Sequence, residues 1–222
     1  FAKKILLANP VGEIADLCFS AGQSSLSTTA AWLGVICYAF QIYFDFSAYS
    51  DMAIGLGKMF GFTFRENFDS PYKSGSITEF WRRWHISLSS FLKDYLYIPL
   101  GGNRTGTSRT YVNLIIVMFL GGLWHGAQWT FVIWGLIHGS ILVIERISGK
   151  NKLGGKLPRP IKVLLTFIII IIGWVFFRAE NINIALNYLS KMFGVGESGQ
   201  SAGILLGQVT RPMACFMMLI SC

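Results

Sequence analysis

Long stretches of apolar residues constrain this chain more than any other feature of its sequence. Residues 26–44 and 161–177 carry almost no charge and approach the roughly 20 residues that a helix needs to cross a bilayer. The run 203–222 is similar but is interrupted by an Arg-Pro pair. Charged residues make up 14% of the chain, whereas soluble globular proteins average about 25%. We therefore predict an all-α, multi-pass membrane protein.

The stretch 111–144 consists of two apolar runs that are separated by His125, Gly126 and Ala127. Two full crossings need about 40 helical residues and a turn, and this stretch has only 34 residues. A short hairpin leaves its apex below the outer surface, where non-helical backbone persists only inside protein or beside a wet cavity. We therefore expect His125 to lie at a broken apex inside the membrane, facing a cavity.

The distribution of basic residues predicts the orientation in the membrane. The chain has 19 Lys and Arg against 11 Asp and Glu, and these bases lie between apolar runs. This arrangement indicates cytoplasmic loops beside anionic lipid and argues against nucleic-acid binding. Segments 65–109 and 145–162 are rich in bases and are expected in the cytoplasm. The hairpin between them then runs out and back, and residues 178–202 lie outside.

The cytoplasmic segment 65–109 contains a strong helix signal. Ser76 to Glu79 form a capping-box pattern, and apolar residues then recur at helical spacing as far as Pro99. A Trp-rich, basic helix with one apolar stripe lies in the membrane interface instead of crossing it. On such a helix, His85 falls at the boundary between the apolar and the polar face.

His125 is the strongest candidate for chemistry. A histidine in an apolar run is costly to place in a membrane unless it has a use, and neutral imidazole suits a general base for a hydroxyl that attacks an acyl carbon. The alternative is a hydrogen bond to a neighbouring helix. His85 is a candidate second catalytic or orienting group, with an interfacial histidine bonded to lipid or water as the alternative. The spacing of the histidines predicts no metal site.

Two carboxylates lie in or beside an apolar region. Residues 46–64 are apolar but carry Asp51, Lys58 and several glycines, which favours a helix packed within protein. Asp45 directly precedes this segment. Carboxylates in such positions are costly unless they are paired. We expect Asp45 and Asp51 to pair with Lys58, Arg65 or a histidine, and a structural role is favoured over proton handling.

A glycine-rich loop follows the interfacial helix. Its backbone N–H groups and its guanidinium suit a phosphate group, although a plain turn is the favoured alternative. The predicted donor-binding residues are Gly101, Gly102, Asn103 and Arg104.

Five segments together resemble the membrane-bound O-acyltransferase family: FDFSAYSDMAIGLGKMFGF, ENF followed by PY, SITEFWRRWHISLSSFLKDYLYIPLGGNR, GGLWHGAQWTFVIWGLIHG and GWVFFRA. The resemblance as a whole covers about residues 1–190. Within the family, the sequence is most similar to the bacterial membrane subunits of alginate O-acetyltransferases. It resembles the D-alanyl transferase of teichoic acid synthesis more distantly.

The resemblance implies a bundle of membrane helices, with interfacial helices around a central funnel. It implies a catalytic histidine at His125 and the family's second polar position at His85; Trp124 is a supporting candidate. Acetyl-CoA or another acyl donor is the expected cytoplasmic substrate, with no bound cofactor. The expected acceptor is an extracytoplasmic polysaccharide such as alginate, or a partner acetyltransferase protein. We expect residues 1–222 to be one membrane domain, truncated at both ends, in a bacterial inner membrane.

Three other functions remain open at this point. The family resemblance also allows D-alanyl transfer to teichoic acid from a carrier protein. A broken hairpin with intramembrane carboxylates is compatible with a transporter or flippase for a lipid-linked sugar. A scaffold that recruits a soluble acetyltransferase would need the surface of 65–110 but not the imidazole of His125.

Overall fold

A computed structural model describes residues 1–21, 26–149, 155 and 157–195. All regular secondary structure within these ranges is helical, which confirms the predicted all-α class. Short π-helical turns cover Lys3–Ala8 and Lys93–Tyr97, and a 3-10 turn covers Pro71–Lys73. The α-helices of the described ranges are α1 (Asn9–Ser20), α2 (Thr28–Met59), α3 (Ile77–Arg83), α4 (Ile86–Leu92), α5 (Thr107–His125), α6 (Trp129–Ile147), α7 (Arg159–Arg178) and α8 (Ile182–Met192).

Within the described part of the chain, α2, α6 and α7 are long and apolar enough to cross a membrane. Helix α2 has 32 residues and joins the segments 26–44 and 46–64, which the sequence analysis treated as separate. That separation was wrong because a carboxylate such as Asp45 does not interrupt the backbone hydrogen bonds of a helix. The predicted run 203–222 lies outside the described residues.

The described residues divide into two compact units. The first contains the described residues of 1–64 and 178–195, and the second contains those of 65–177. The single domain expected over residues 1–222 stays a prediction.

In the first unit, α1 and α8 pack against α2. Asn181 caps α8 through a 3.0 Å hydrogen bond from the N–H of Ile184 to its side chain. The Tyr188 hydroxyl donates to the Ala31 carbonyl at 2.9 Å, and this bond fastens α8 to α2. The sequence analysis missed both α1 and α8, since helices of 12 and 11 residues depend on tertiary packing more than on local propensity.

In the second unit, α5 and α6 form an antiparallel hairpin, and glycines on both helices allow their backbones to pack closely. A Cβ atom at Gly122 would lie 2.4 Å from the Phe131 carbonyl oxygen, and one at Gly135 would lie 2.3 Å from the Met118 carbonyl oxygen. Only glycine permits this close approach of two helix backbones. Each helix has 19 residues, or about 28 Å of length. The helices extend beyond 111–144 by about one turn at each outer end, and they remain slightly shorter than two full crossings require. The depth of the apex stays a prediction.

The N-terminus of α3 is held by a residue that the sequence analysis did not single out. Glu145, buried on α6, accepts the backbone N–H of Ile77 at 2.7 Å and that of Thr78 at 2.9 Å. The Ser76 hydroxyl accepts the N–H of Glu79 at 3.0 Å, as the capping-box pattern predicted. All free donors at this helix end are therefore bonded, and α3 is fastened to α6.

The interfacial helix predicted to continue from Ser76 to Pro99 is interrupted at Trp84 and His85. Trp84 is extended, and His85 adopts the left-handed region with φ 45° and ψ 56°. Helix α4 begins immediately after His85, with its first N–H bonded to the Asn67 carbonyl at 3.0 Å. The prediction of one continuous helix was wrong because this long-range bond replaces a helical one.

Candidate active site

His125 is the last residue of α5, where the hairpin opens between α5 and α6. Its imidazole is half-buried and lies against four aromatic rings, one of which is Phe131 at a centroid separation of 6.2 Å. The ring centroids are 4.9 Å from Trp124, 5.3 Å from Trp134 and 4.9 Å from Phe177. Gly126 ends the helix immediately after it, as the sequence analysis predicted for the apex.

His85 reaches the same place from the break between α3 and α4. Its ring centroid lies 6.3 Å from that of Trp124. The imidazoles of His85 and His125 are close enough to interact electrostatically. Ser87 Oγ lies 3.4 Å from His85 Nδ1. A non-glycine residue in the left-handed region costs about 1–3 kcal/mol. A strained conformation of this kind persists only where the surrounding structure holds it, and such conformations cluster at functional sites.

Burial controls the protonation of His85. Desolvation lowers the pKa of His85 to about 4, although a hydrogen bond to its backbone acts in the opposite direction. At neutral pH its imidazole is therefore uncharged. A neutral ring can accept a proton or a hydrogen bond, whereas a charged ring cannot.

The Trp124 side chain lies between the two histidines and is exposed at the surface of this unit. Its side chain contacts both imidazoles, and the residue is 62% exposed. The site therefore has one open wall beside His125. The arrangement can place a hydroxyl group next to a neutral imidazole, with a second imidazole at hand to orient it.

An aromatic wall closes the opposite side of the site. Trp134 contacts His125 and stacks on Trp174 with a centroid separation of 6.0 Å. Behind Trp134 lies His138, which is fully buried and contacts Phe80, Trp81 and Trp134. Neither ring nitrogen of His138 has a hydrogen-bond partner among the described residues.

The glycine-rich loop uses its backbone donors internally. The N–H of Gly101 donates to Ile98 at 3.0 Å, and that of Gly102 donates to Tyr97 at 2.9 Å. The Arg104 side chain is exposed. A phosphate at this loop would therefore be held by side chains instead of by backbone N–H groups.

A cavity of about 480 Å³ lies within the second unit, beside this loop. Asn103 is the member of the predicted donor-binding set that lines it, and it accepts a hydrogen bond from the Tyr97 hydroxyl. Arg82, Lys93 and Arg146 supply three cations, which form no ion pair with any described residue. The other lining residues are Thr78, Trp81, Ile86, Ser89, Ser90, Leu114, Val117, Met118 and Leu142.

The cavity combines unpaired positive charge with apolar walls. The indole Nε1 of Trp81 is buried at its edge without a hydrogen-bond partner in the described ranges. Burial raises the pKa of the Tyr97 hydroxyl, while the nearby Arg146 cation lowers it. Such a lining suits an elongated ligand that carries phosphate. The sequence analysis missed these cations as a group because they lie on three separate helical segments.

Asp45 and Asp51 lie in the first unit, and both are paired with cations. Lys3 Nζ is 2.7 Å from Asp51 Oδ2, and Lys4 contacts Asp45. About half of each carboxylate side chain is exposed. Pairing was expected, but the predicted partners Lys58, Arg65 or a histidine were wrong, because the N-terminal turn brings Lys3 and Lys4 to α2.

Comparisons with known proteins place the chain among related membrane enzymes. The family model for the membrane-bound O-acyltransferases matches residues 22–180. The chain is 55% identical to a probable alginate O-acetylase of Azotobacter vinelandii, over 89% of this chain and 39% of that protein. It is 49% identical to a peptidoglycan O-acetyltransferase of Helicobacter pylori, over 87% and 37%. It is 36% identical to a teichoic acid D-alanyltransferase of Streptococcus thermophilus, over 58% and 35%.

The chain therefore spans about two fifths of the length of the curated relatives that it matches most fully. The matched region includes both halves of the candidate site, His85 and His125. With a family model that covers more than half of the residues, and with transmembrane-length helices in the fold, the chain belongs to the membrane-bound O-acyltransferase family.

Proposed function

We propose that the full-length protein is a membrane O-acetyltransferase. It moves an acetyl group from a cytoplasmic donor, acetyl-CoA or another acyl donor, towards hydroxyl groups of an extracytoplasmic polysaccharide such as alginate. The observation that carries the proposal is the pair of imidazoles, His85 and His125, beside one exposed indole. The names of the two most similar relatives described above support acetyl as the group transferred.

His125 acts as the general base in this proposal. The acceptor hydroxyl oxygen attacks the thioester carbonyl carbon while the imidazole takes the hydroxyl proton. A C–O bond forms, the C–S bond breaks, and the proton passes from the imidazole to the leaving thiolate. General acid–base catalysis of this kind contributes typically 10²–10⁴-fold to the rate.

His85 is proposed to orient the reacting groups. Its neutral imidazole accepts a hydrogen bond from the acceptor or from a group on the donor. Trp124 supports both rings through its contacts with them. Asp45 and Asp51 keep the structural role that their ion pairs indicate.

The donor is proposed to bind in the cavity lined by Arg82, Lys93 and Arg146. These cations would hold the phosphates of acetyl-CoA. Asn103 brings the edge of the Gly101–Arg104 loop to the same cavity. The loop thus contributes a side chain, and its glycines shape the turn.

The same proposal includes the membrane location, the orientation and the acceptor of the full-length protein. The protein spans a bacterial inner membrane several times, with the basic segments 65–109 and 145–162 on the cytoplasmic side. His85 of the segment 65–109 meets His125 at the apex of the hairpin, and the acceptor reaches this pair from the extracytoplasmic side. The acceptor is the polysaccharide itself or a partner acetyltransferase protein that completes the transfer.

The proposal is tested with the full-length protein in lipid nanodiscs. Radiolabelled acetyl-CoA and an alginate oligosaccharide serve as probes. We expect His125→Ala to reduce acetyl transfer at least about 100-fold, while Leu120→Ala, a change at an exposed position of the same helix, leaves the rate within about twofold.

Three results would contradict this function. Transfer by His125→Ala at the unmutated rate would remove the proposed base. Movement of a lipid-linked sugar without consumption of donor would indicate a flippase. Consumption of a carrier-protein D-alanyl thioester in place of acetyl-CoA would indicate D-alanyl transfer.

The donor site has its own test. In the double variant Arg82→Gln/Lys93→Gln, we expect the KM for acetyl-CoA to rise by at least about 100-fold, because each hydrogen bond to a charged group contributes about 1.5–3 kcal/mol. Arg104→Gln is the comparison, since its exposed side chain does not line the cavity. If Arg104→Gln raised the KM as much as the double variant, the donor site would belong on the loop.

A further inference from the structure

The backbone of His85 adopts a left-handed conformation, and helix α4 by itself does not account for that conformation. His85 occupies the N-cap position of α4 in the left-handed region, and its side chain makes no capping hydrogen bond. Helix α4 has seven residues, so it cannot stabilise such a start by length alone. A group outside the helix must therefore hold the first turn of α4.

Asn67 is that group. Its backbone carbonyl accepts the N–H of Ile86 at 3.0 Å, and its side-chain Oδ1 accepts the N–H of Ser87 at 3.1 Å. One residue thereby satisfies the first two donors of α4 from a distance of 20 positions in the sequence. The carbonyl of His85 completes the turn by accepting the N–H of Ser89.

The neighbours of Asn67 hold the other side of the break. The N–H of Asp69 donates to the Arg83 carbonyl at 3.0 Å, and Arg83 Nη1 donates to the Asp69 carbonyl and carboxylate at 3.0 and 3.1 Å. The ring of Phe68 packs edge-on against Trp84 with a centroid separation of 5.0 Å. Residues 67–69 therefore bind the end of α3 and the start of α4 and span the break between them.

We infer that Asn67 is a positioning residue, which fixes His85 in the conformation that brings its imidazole to Trp124 and His125. Only the expected effect of Asn67 on the rate of acetyl transfer rests on the proposed function. The placement of the imidazole is a structural consequence, and it is measurable without any substrate.

The matched variants are Asn67→Ala, Asn67→Asp and Asn181→Ala in the full-length protein. Alanine at 67 removes the acceptor for the Ser87 N–H, whereas aspartate keeps an oxygen there and suits a helix N-terminus. Asn181→Ala removes a 3.0 Å cap of the same kind from α8 in the other unit. It controls for the general loss of a helix cap.

The first measurement is an NMR titration of isotope-labelled His85, assigned with His85→Gln. The titratable group that interacts with His85 is His125 on α5, and it is retained in Asn67→Ala. In the unmutated protein and in Asn181→Ala, His85 is expected to stay neutral until about pH 4. In Asn67→Ala the ring loses its buried position, and its titration shifts towards the ordinary value near 6.5.

The second measurement is acetyl transfer from acetyl-CoA at pH 7.5. We expect Asn67→Ala to lower kcat by roughly 10- to 100-fold with little change in the KM for the donor, because a misplaced group loses orientation. Asn67→Asp is expected to restore kcat to within about threefold. An unchanged His85 titration in Asn67→Ala, or an Asn67→Asp variant as slow as Asn67→Ala, would overturn the inference. A failure of the proposed function would instead remove transfer from the unmutated protein and leave the titration result intact.

Discussion

His125 and His138 are two histidines of one hairpin that contact the same indole. Their ring centroids lie 5.3 and 5.1 Å from that of Trp134, and each is followed in the sequence by a glycine. His125 is half-buried beside the exposed ring of Trp124, whereas His138 is 0% exposed. Access to ligands separates a candidate catalytic imidazole from one that fills the core.

The largest expected difference between them is in folding stability. His138→Ala removes a fully buried ring from a tightly packed aromatic cluster, so we expect the free energy of unfolding to fall by about 3 kcal/mol. His125→Ala removes a ring at the open end of the hairpin and is expected to cost less than half as much. Denaturant titration of the full-length protein in mixed micelles measures both values. Equal losses for the two variants would show that burial does not distinguish these sites.

A double-mutant cycle sharpens the description of the His138 site. A Cβ atom at Gly173 would lie 3.1 Å from His138 Nε2, and the ring is enclosed by its neighbours and cannot yield. We therefore expect Gly173→Ala alone to destabilise the protein by about 1 kcal/mol. In the His138→Ala background the clash is absent, and the same change stabilises α7 by up to about 1 kcal/mol through helix propensity. Additive effects of the two changes would contradict this packing.

A further expected effect concerns the pH dependence of stability and tests the open site alone. The pKa of His85 is lowered by burial to about 4 in the folded protein, against about 6.5 in an unfolded chain. The unfolded state therefore binds more protons between these values, and stability falls as the pH is lowered from 6.5 to 4. Above pH 6.5 this contribution is fully present. The difference in unfolding free energy between the unmutated protein and His85→Gln should shrink over this pH range, and a constant difference would contradict the lowered pKa.

Much of the helical organisation could be predicted from local patterns. Apolar runs predicted α6 and α7, and the capping-box residue Ser76 marked the start of α3 correctly, since both signals depend on neighbours within a few positions. The continuous helix through His85 could not be corrected locally, because the bond from Asn67 comes from 20 positions away. Glu145 was missed for the same reason, as its partners lie 67 and 68 positions from it.

The sequence by itself determined that this chain is helical, membrane-associated and built around a histidine between two apolar legs, because composition and periodicity report burial in lipid or protein directly. Only the tertiary structure decided which imidazoles meet. It placed His85 beside Trp124 through a left-handed break, and it enclosed His138 behind Trp134. The physical reason is that these contacts depend on hydrogen bonds and ring packing between distant segments, which leave no local pattern in the chain.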